Sequence, residues 1–197
     1  MKLDGITVRF GARVVLENFG IALPQRGIVA IMAPSGAGKS TLLRVLAGLQ
    51  PAPGAELAPL TRMRRAMLFQ EDRLLPWLTV LDNITLVMEG ANRSARAHLA
   101  LQQLGIGDAA ALLPGSLSGG MRRRAALARA LAVDPELMLL DEPFNGLDDE
   151  AASAAAACIR RQAEKGLALV VTHQREHALM LTDDIRLFTG PPLRPAG

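Results

Sequence analysis

The run Ala33-Pro34-Ser35-Gly36-Ala37-Gly38-Lys39-Ser40-Thr41 combines flexible, cationic and hydroxyl-bearing residues in the order a polyphosphate requires. Gly36 and Gly38 let the backbone curl so that its N–H groups face an anion, and a helix starting there adds the partial positive charge of its N-terminus. Lys39 brings a point charge to phosphate oxygens, and the Ser40 hydroxyl is a hard oxygen ligand for Mg²⁺. An apolar strand before the run and an amphipathic helix after it give the context of a Walker A loop. Ala33 stands where that motif has its first glycine. If the position needs positive φ, the methyl costs on the order of 1 kcal/mol; otherwise it costs little.

A second constellation is Leu137-Met138-Leu139-Leu140-Asp141-Glu142. Four apolar residues bury a strand and deliver two acids at its carboxyl end. Asp141 is placed to hold Mg²⁺ through water, and Glu142 to activate or orient an attacking water. Together the two constellations define a P-loop NTPase with a Mg²⁺ site. The elements around them alternate. Strands are expected at Ile6–Phe10, Val14–Phe19, Gly27–Ile31, Met67–Gln70, Leu137–Leu140, Leu167–Val171 and Ile185–Phe188. Helices are expected at Lys39–Leu49, from Asp149, and around Arg175–Leu181, with residues 80–131 mainly helical and broken at Gly105–Asp108 and Pro114–Gly120. This is an α/β pattern: a P-loop NTPase core with a mainly parallel sheet and a helical lobe inserted at about 80–131. The whole chain, 1–197, reads as a single domain.

Leu117-Ser118-Gly119-Gly120-Met121 narrows the class. Ser118 is a good N-cap for a helix Met121–Ala132, and the two glycines open its first N–H groups to an anion. With Arg124, Ala128, Arg129 and Ala130 following, the chain closely resembles the ATP-binding cassette (ABC) family. The resemblance covers nearly the whole sequence. It implies that Phe10 stacks on adenine, that Gln70 reaches the metal and the attacking water, and that His173 contacts the γ-phosphate. It also implies that Gln70 opens the Q-loop, that Leu117–Met121 is the signature turn, that Asn145-Gly146-Leu147-Asp148 is the D-loop, and that the family's antiparallel β subdomain is trimmed here. Gln174 stands where an Asp is usual. In the family's arrangement two cassettes pair head to tail, so that ATP on one Walker A loop is capped by Ser118, Gly119 and Gly120 of the other. The partners implied are a second copy of the chain, integral-membrane permease subunits and a periplasmic solute-binding protein. The segment Gln70–Asn83, together with Met121, resembles importers of the nitrate, sulfonate and taurine group. An exporter subunit, a non-transport ABC protein and a P-loop kinase are the rival readings.

Composition excludes several classes. The 197 residues are 50% hydrophobic, and no apolar stretch approaches the roughly 20 residues that span a bilayer. The N-terminus lacks the apolar segment of a signal peptide, so the expectation is a cytoplasmic protein; the family resemblance implies that it sits peripherally on the inner face of the membrane. No regulatory domain is expected after the ATPase. The sequence pI of 9.7 invites a nucleic-acid role. The net charge is only +3, however, and there is no Tyr for a stacking platform, so no nucleic-acid partner is expected. Arg62/Arg64/Arg65 and Arg122/Arg123/Arg124 then read as a solvated basic surface, or one facing acidic groups of a partner. Cys158 reads as a small buried thiol, and His98 and His177 as ordinary helix residues. Leu74-Leu75-Pro76-Trp77-Leu78 is strongly apolar although it follows Gln70 in what should be a partly exposed loop. It packs beneath the helical lobe, or it lines a groove for a helix of the membrane partner.

Overall fold

A computed structural model describes residues 1–196. The chain opens with two antiparallel strands, β1 (Lys2–Phe10) and β2 (Arg13–Ala22), joined by a tight turn at Gly11. One further bridge, Asp4 with Glu56, extends this small sheet. It is the trimmed antiparallel part the sequence implies.

The main sheet is built from β3 (Gly27–Met32), β4 (Arg65–Leu68), β5 (Leu137–Asp141), β6 (Leu167–Thr172), β7 (Ile185–Thr189) and β8 (Arg194–Pro195), in the order β4-β5-β6-β3-β7-β8. All neighbours are parallel except the β7–β8 edge pair. The inner strands are apolar along their length because both faces are covered. Their alternation is still legible. Leu137, Leu139, Leu167 and Leu169 join β1, β2 and helix α1 (Lys39–Ala47) in one core. Met138, Leu140, Ala168 and Val170 point the other way, into a second core.

That second core is covered by helices. Between β4 and β5 lie α2 (Val80–Thr85), α3 (Arg93–Gln103) and α4 (Gly119–Leu131), with short 3₁₀ turns at Gly107–Ala109 and Pro114–Ser116. Two more helices follow β5 and β6: α5 (Asp149–Ala163), capped by the Asp148 carboxylate on the Ala151 N–H, and α6 (Arg175–Leu179). Cys158 is buried on α5, as expected of a small apolar thiol, and His98 and His177 lie on α3 and α6.

Several boundaries differ from expectation. The first helix stops at Ala47, two residues early, because Gly48 adopts a left-handed φ of 78° and turns its N–H back to the Arg44 and Val45 carbonyls. A gap separates α2 from α3 in a stretch expected to be mainly helical with its first break at Gly105; Gly90 and Asn92 both sit at positive φ there. The helix after Ser118 begins at Gly119 rather than Met121. The fourth strand is Arg65–Leu68 rather than Met67–Gln70. It pairs with β5 only as far as Leu68 with Leu140. Beyond that point the carbonyls of Phe69 and Gln70 accept from an arginine side chain, so the ladder ends.

Candidate nucleotide site

The parallel strands β3, β5 and β6 end together: Met32 lies opposite Thr172, and Asp141 opposite Val171. Their carboxyl ends carry Ala33–Gly38, Asp141–Glu142 and Thr172–His173, so residues far apart in sequence converge on one edge of the sheet. This is where open α/β sheets place ligands.

The loop after β3 curls as its glycines allow. Gly36 has φ 76° and Gly38 φ 112°, values that L side chains rarely adopt. A Cβ on Gly38 would stand 2.9 Å from Val15 Cγ1, so β2 presses against the loop from behind. Gly38 is also the N-cap of α1 and has no side chain to satisfy the helix's first N–H groups. Ala33 is outside the left-handed region, and its methyl packs in the core. The alanine in place of the motif's first glycine therefore carries no backbone strain.

Lys39 is buried and donates from Nζ to the carbonyls of Ala33 at 2.7 Å and Pro34 at 2.9 Å. Burial pulls its pKa down, while Glu142 and Asp141 push it back up. Phe10, 51% exposed at the end of β1, lines one cavity of about 350 Å³ together with Gly36, Gly38, Lys39, Ser40 and Thr41. Arg13 reaches into the same place and donates to the Gly36 carbonyl at 3.2 Å. Pro34, Ser35 and Ala37 complete the loop without lining the cavity.

Asp141 is 4% exposed. Burial raises its pKa above the ordinary carboxylate range; the Ser40 hydroxyl opposes this, Glu142 adds to it, and Arg123 and Lys39 oppose it more weakly. Glu142 has a left-handed φ of 50°. Its carboxylate accepts from Thr172 Oγ1 at 2.9 Å and from the His173 N–H at 3.0 Å, and His173 Nδ1 lies 2.6 Å from Oε1. The structure thus joins Glu142 to His173 directly, with Thr172 as a partner that the sequence did not single out. An aromatic or charged residue beyond a strand end stands out in a sequence, whereas a threonine finishing an apolar strand does not.

Among the described residues no three His, Cys, Asp or Glu side chains gather to hold an ion. A carboxylate beside a hydroxyl fits a hard cation that keeps waters and shares phosphate oxygens, as Mg²⁺ does.

Ser118, Gly119 and Gly120 lie outside the Phe10–Lys39 cavity. Ser118 caps α4 as expected, its Oγ accepting from the Met121 N–H at 3.2 Å. Gly119 instead shares a smaller cavity of about 190 Å³ with Gln70, Asp72, Arg123, Asn145 and Gly146. This cavity gathers the Q-loop, the signature turn and the D-loop.

The reading of Arg122–Arg124 as a basic surface, solvated or facing acidic groups of a partner, is corrected for Arg123. Arg123 is 3% exposed, with its guanidinium between the Q-loop and the end of β5. Arg129 likewise donates to the carbonyls of Arg73 at 2.8 Å and Asp72 at 3.0 Å. The sequence hides this because Ala125–Ala128 are apolar around a whole turn, so no face is marked as the buried one.

Trp77 is 71% exposed, which removes the reading that places it under the lobe. Its neighbour Leu74 does pack against the helical core. The segment is held by Asn83, whose amide accepts from the Leu75 N–H at 2.8 Å and donates to the carbonyls of Leu75, Leu78 and Thr79. Leu78, the residue after Trp77, lines a groove of about 430 Å³ with Leu81, Asp82, Thr85, Leu86, Arg93 and Ser94.

Residues 16–145 match the family described as ABC transporter. Over 188 residues the chain is 41% identical to the aliphatic sulfonates import ATP-binding protein SsuB of Delftia acidovorans, covering 94% of this chain and 78% of that one. It is 43% identical over 187 residues to SsuB 2 of Paracoccus denitrificans, covering 94% and 76%. Among solved structures, the dimeric form of the bacterial ABC transporter cassette MJ0796 matches with a TM-score of 0.81 at 28% identity, over 95% of this chain and 93% of that one. A post-hydrolysis state of the same cassette, bound to ADP and Pi, matches with a TM-score of 0.81 at 29% identity.

Proposed function

The chain belongs to the ABC transporter family, and we propose that it is the ATP-hydrolysing subunit of a solute importer, working as an ATP-closed pair on a membrane permease. The observation that carries this reading is the division of the site. Phe10 and residues of the Walker A loop line one cavity; none of Ser118–Gly120 lines it, and Gly119 opens on a separate one. A second copy, paired head to tail, brings its signature turn to the first copy's phosphates and creates two equivalent sites. A P-loop kinase has no use for that turn.

In this mechanism the N–H groups of Gly36–Thr41 and the start of α1 cradle the phosphates, and the Phe10 ring covers the adenine. Lys39 exchanges its loop carbonyls for phosphate oxygens, which needs only rotation of its side chain. Ser40, Asp141 and Gln70 would hold Mg²⁺, which would neutralise charge on the phosphates. Glu142 orients the attacking water and takes its proton, after giving up one of the bonds that now tie it to Thr172 and His173. His173, freed by the same exchange, reaches the γ-phosphate. The chain acts as one domain, 1–197, with residues 80–131 as the lobe that carries α4 towards the partner copy.

The names of the relatives support import of an aliphatic sulfonate, within the wider nitrate, sulfonate and taurine group. On this reading a periplasmic binding protein delivers the solute and the subunit sits on the inner face of the membrane. No helix among the described residues is long and apolar enough to cross a membrane; on this reading the pore is built by the permease chains. The groove lined by Leu78, next in the chain to exposed Trp77 and braced by Asn83, is the docking place for a permease helix. Buried aromatics at interfaces are typically worth about 2 kcal/mol or more.

Two experiments test the reading. Glu142→Gln is expected to bind ATP yet lower kcat by at least about a hundredfold, while Lys39→Ala weakens binding itself. Near-normal turnover in Glu142→Gln removes Glu142 from its role. Trp77→Ala is expected to shift the melting temperature of the isolated chain by no more than about 2 °C and to leave its ATPase intact while impairing assembly with the permease. Normal assembly and transport in that variant would remove the groove from the coupling path.

A further inference from the structure

Arg123 contacts two segments that the mechanism needs at a fixed spacing. Its Nη1 donates to the Phe69 carbonyl at 2.6 Å and the Gln70 carbonyl at 3.3 Å, and reaches Asp72 Oδ1 at 3.3 Å. Its Nη2 donates to the Glu142 carbonyl at 2.9 Å and to the Asp141 carbonyl. The Nε–H is buried without a partner. One guanidinium thus spans the strand ends that carry Gln70 and Glu142.

Stability is a poor explanation for this group. A buried charge with one partly exposed carboxylate and an unsatisfied donor is costly, and a well-packed apolar side chain at such a place is often neutral or better. The fork does, however, do what no apolar or single-headed side chain does: it fixes two backbones with parallel, directional bonds. One of those backbones is Glu142, whose φ of 50° is uncommon for a residue with a side chain and persists only where its surroundings enforce it.

We propose that Arg123 is a positioning residue for ATP hydrolysis, setting the Gln70 backbone against that of Glu142 so that both side chains address one water. The proposal rests on the roles assigned above to Gln70 and Glu142. It makes α4 bifunctional: Ser118–Gly120 at its start serve the partner copy's ATP, while Arg123, one turn further on, serves this copy's own. Arg129 ties the Q-loop to the same helix but reaches neither acid, so the link to β5 is Arg123's alone among the described residues.

The test is steady-state ATPase kinetics on the full chain for Arg123→Met, Arg123→Lys, Glu142→Gln and the double variant Arg123→Met/Glu142→Gln. Leu101→Ala, a fully buried core truncation in α3, is the control for lost stability. Arg123→Met is expected to lower kcat about tenfold or more with KM for ATP changed by no more than about two-fold, and Arg123→Lys to fall between it and the wild type. In the Glu142→Gln background the Arg123→Met change should cost less than about two-fold further, because the two residues act as one unit. Leu101→Ala should keep kcat below its own melting transition. Wild-type kcat in Arg123→Met, additive losses in the double variant, or an equal kcat loss in Leu101→Ala would each overturn the proposal. If Arg123→Met fails to fold, wild-type kcat in Arg123→Lys overturns it instead. Fast turnover in Glu142→Gln would remove the underlying role of Glu142; slow Glu142→Gln with fast Arg123→Met would remove only the positioning role.

Discussion

The phosphate loop and the signature turn are both glycine-rich, and both feed the N-terminus of a helix, yet their glycines are there for different reasons. Gly36 and Gly38 are demanded by the chain itself: both are left-handed, and Gly38 has β2 at its back. Gly119 is not. It has ordinary helical geometry, and a Cβ there would meet nothing nearer than Arg122 Nη2 at 4.0 Å. Glycine in a helix is destabilising by roughly 0.5–1 kcal/mol relative to alanine, so this chain's own fold would be better served without it. Gly120 falls between, since its Cβ would stand 3.0 Å from the D-loop carbonyl of Gly146. The caps differ in the same sense. Ser118 satisfies one N–H of α4 from its own side chain, whereas Gly38 leaves those of α1 for a ligand. One turn is shaped by intrachain packing and the other by what approaches from outside.

The same substitution in each turn is the sharpest way to break that contrast. Gly38→Ala is expected to introduce ~1–3 kcal/mol of backbone strain, together with the clash on Val15, and to abolish measurable nucleotide binding. Gly119→Ala is expected to leave the melt of the isolated chain unchanged or slightly raised, and ATP affinity of the monomer intact. In a Glu142→Gln background, however, it should suppress ATP-dependent dimerisation, read by light scattering with and without Mg-ATP. A Gly119→Ala chain that dimerises normally, or one that melts several degrees lower, would erase the distinction.

A smaller effect probes the buried acid between the two turns. Folding raises the Asp141 pKa, chiefly through burial, so the ionised carboxylate costs stability above its folded pKa. Below the ordinary carboxyl value both folded and unfolded chains are protonated, and the cost vanishes. Asp141→Asn should therefore raise the melting temperature at neutral pH, as read by thermal melts across pH. The gain should shrink as pH falls through the folded pKa and disappear near about pH 4. Hydrolysis should be lost at every pH. A lower melt at neutral pH would mean that the contacts of Asp141 with Ser40, Arg123 and Lys39 outweigh its desolvation.

Much of the site is written locally, and local features were legible. The phosphate loop closes on itself within a few residues, so glycine, lysine and hydroxyl spacing is enough to identify it. Leu137–Leu140 is apolar on both faces because helices cover one side of the sheet and β1, β2 and α1 the other, which marks it as an interior strand ending in acids. Ser118 caps the helix that follows it, and that too is a short-range bond. Tertiary structure decided the rest. Nothing near Phe10 says that β1 folds over the phosphate loop, because that contact depends on how the small antiparallel sheet seats on α1. Whether Trp77 is core or surface turned on Asn83, whose four hydrogen bonds hold the backbone so that Leu74 points in and Trp77 out. The join between Glu142 and Thr172–His173 required β5 and β6 to be neighbours in register, and an order of strands is not a property of any one of them. Arg123 was the least legible of all. Its role depends on three backbone segments meeting at one point, and a run of three arginines looks the same on paper whether it faces water or the interior.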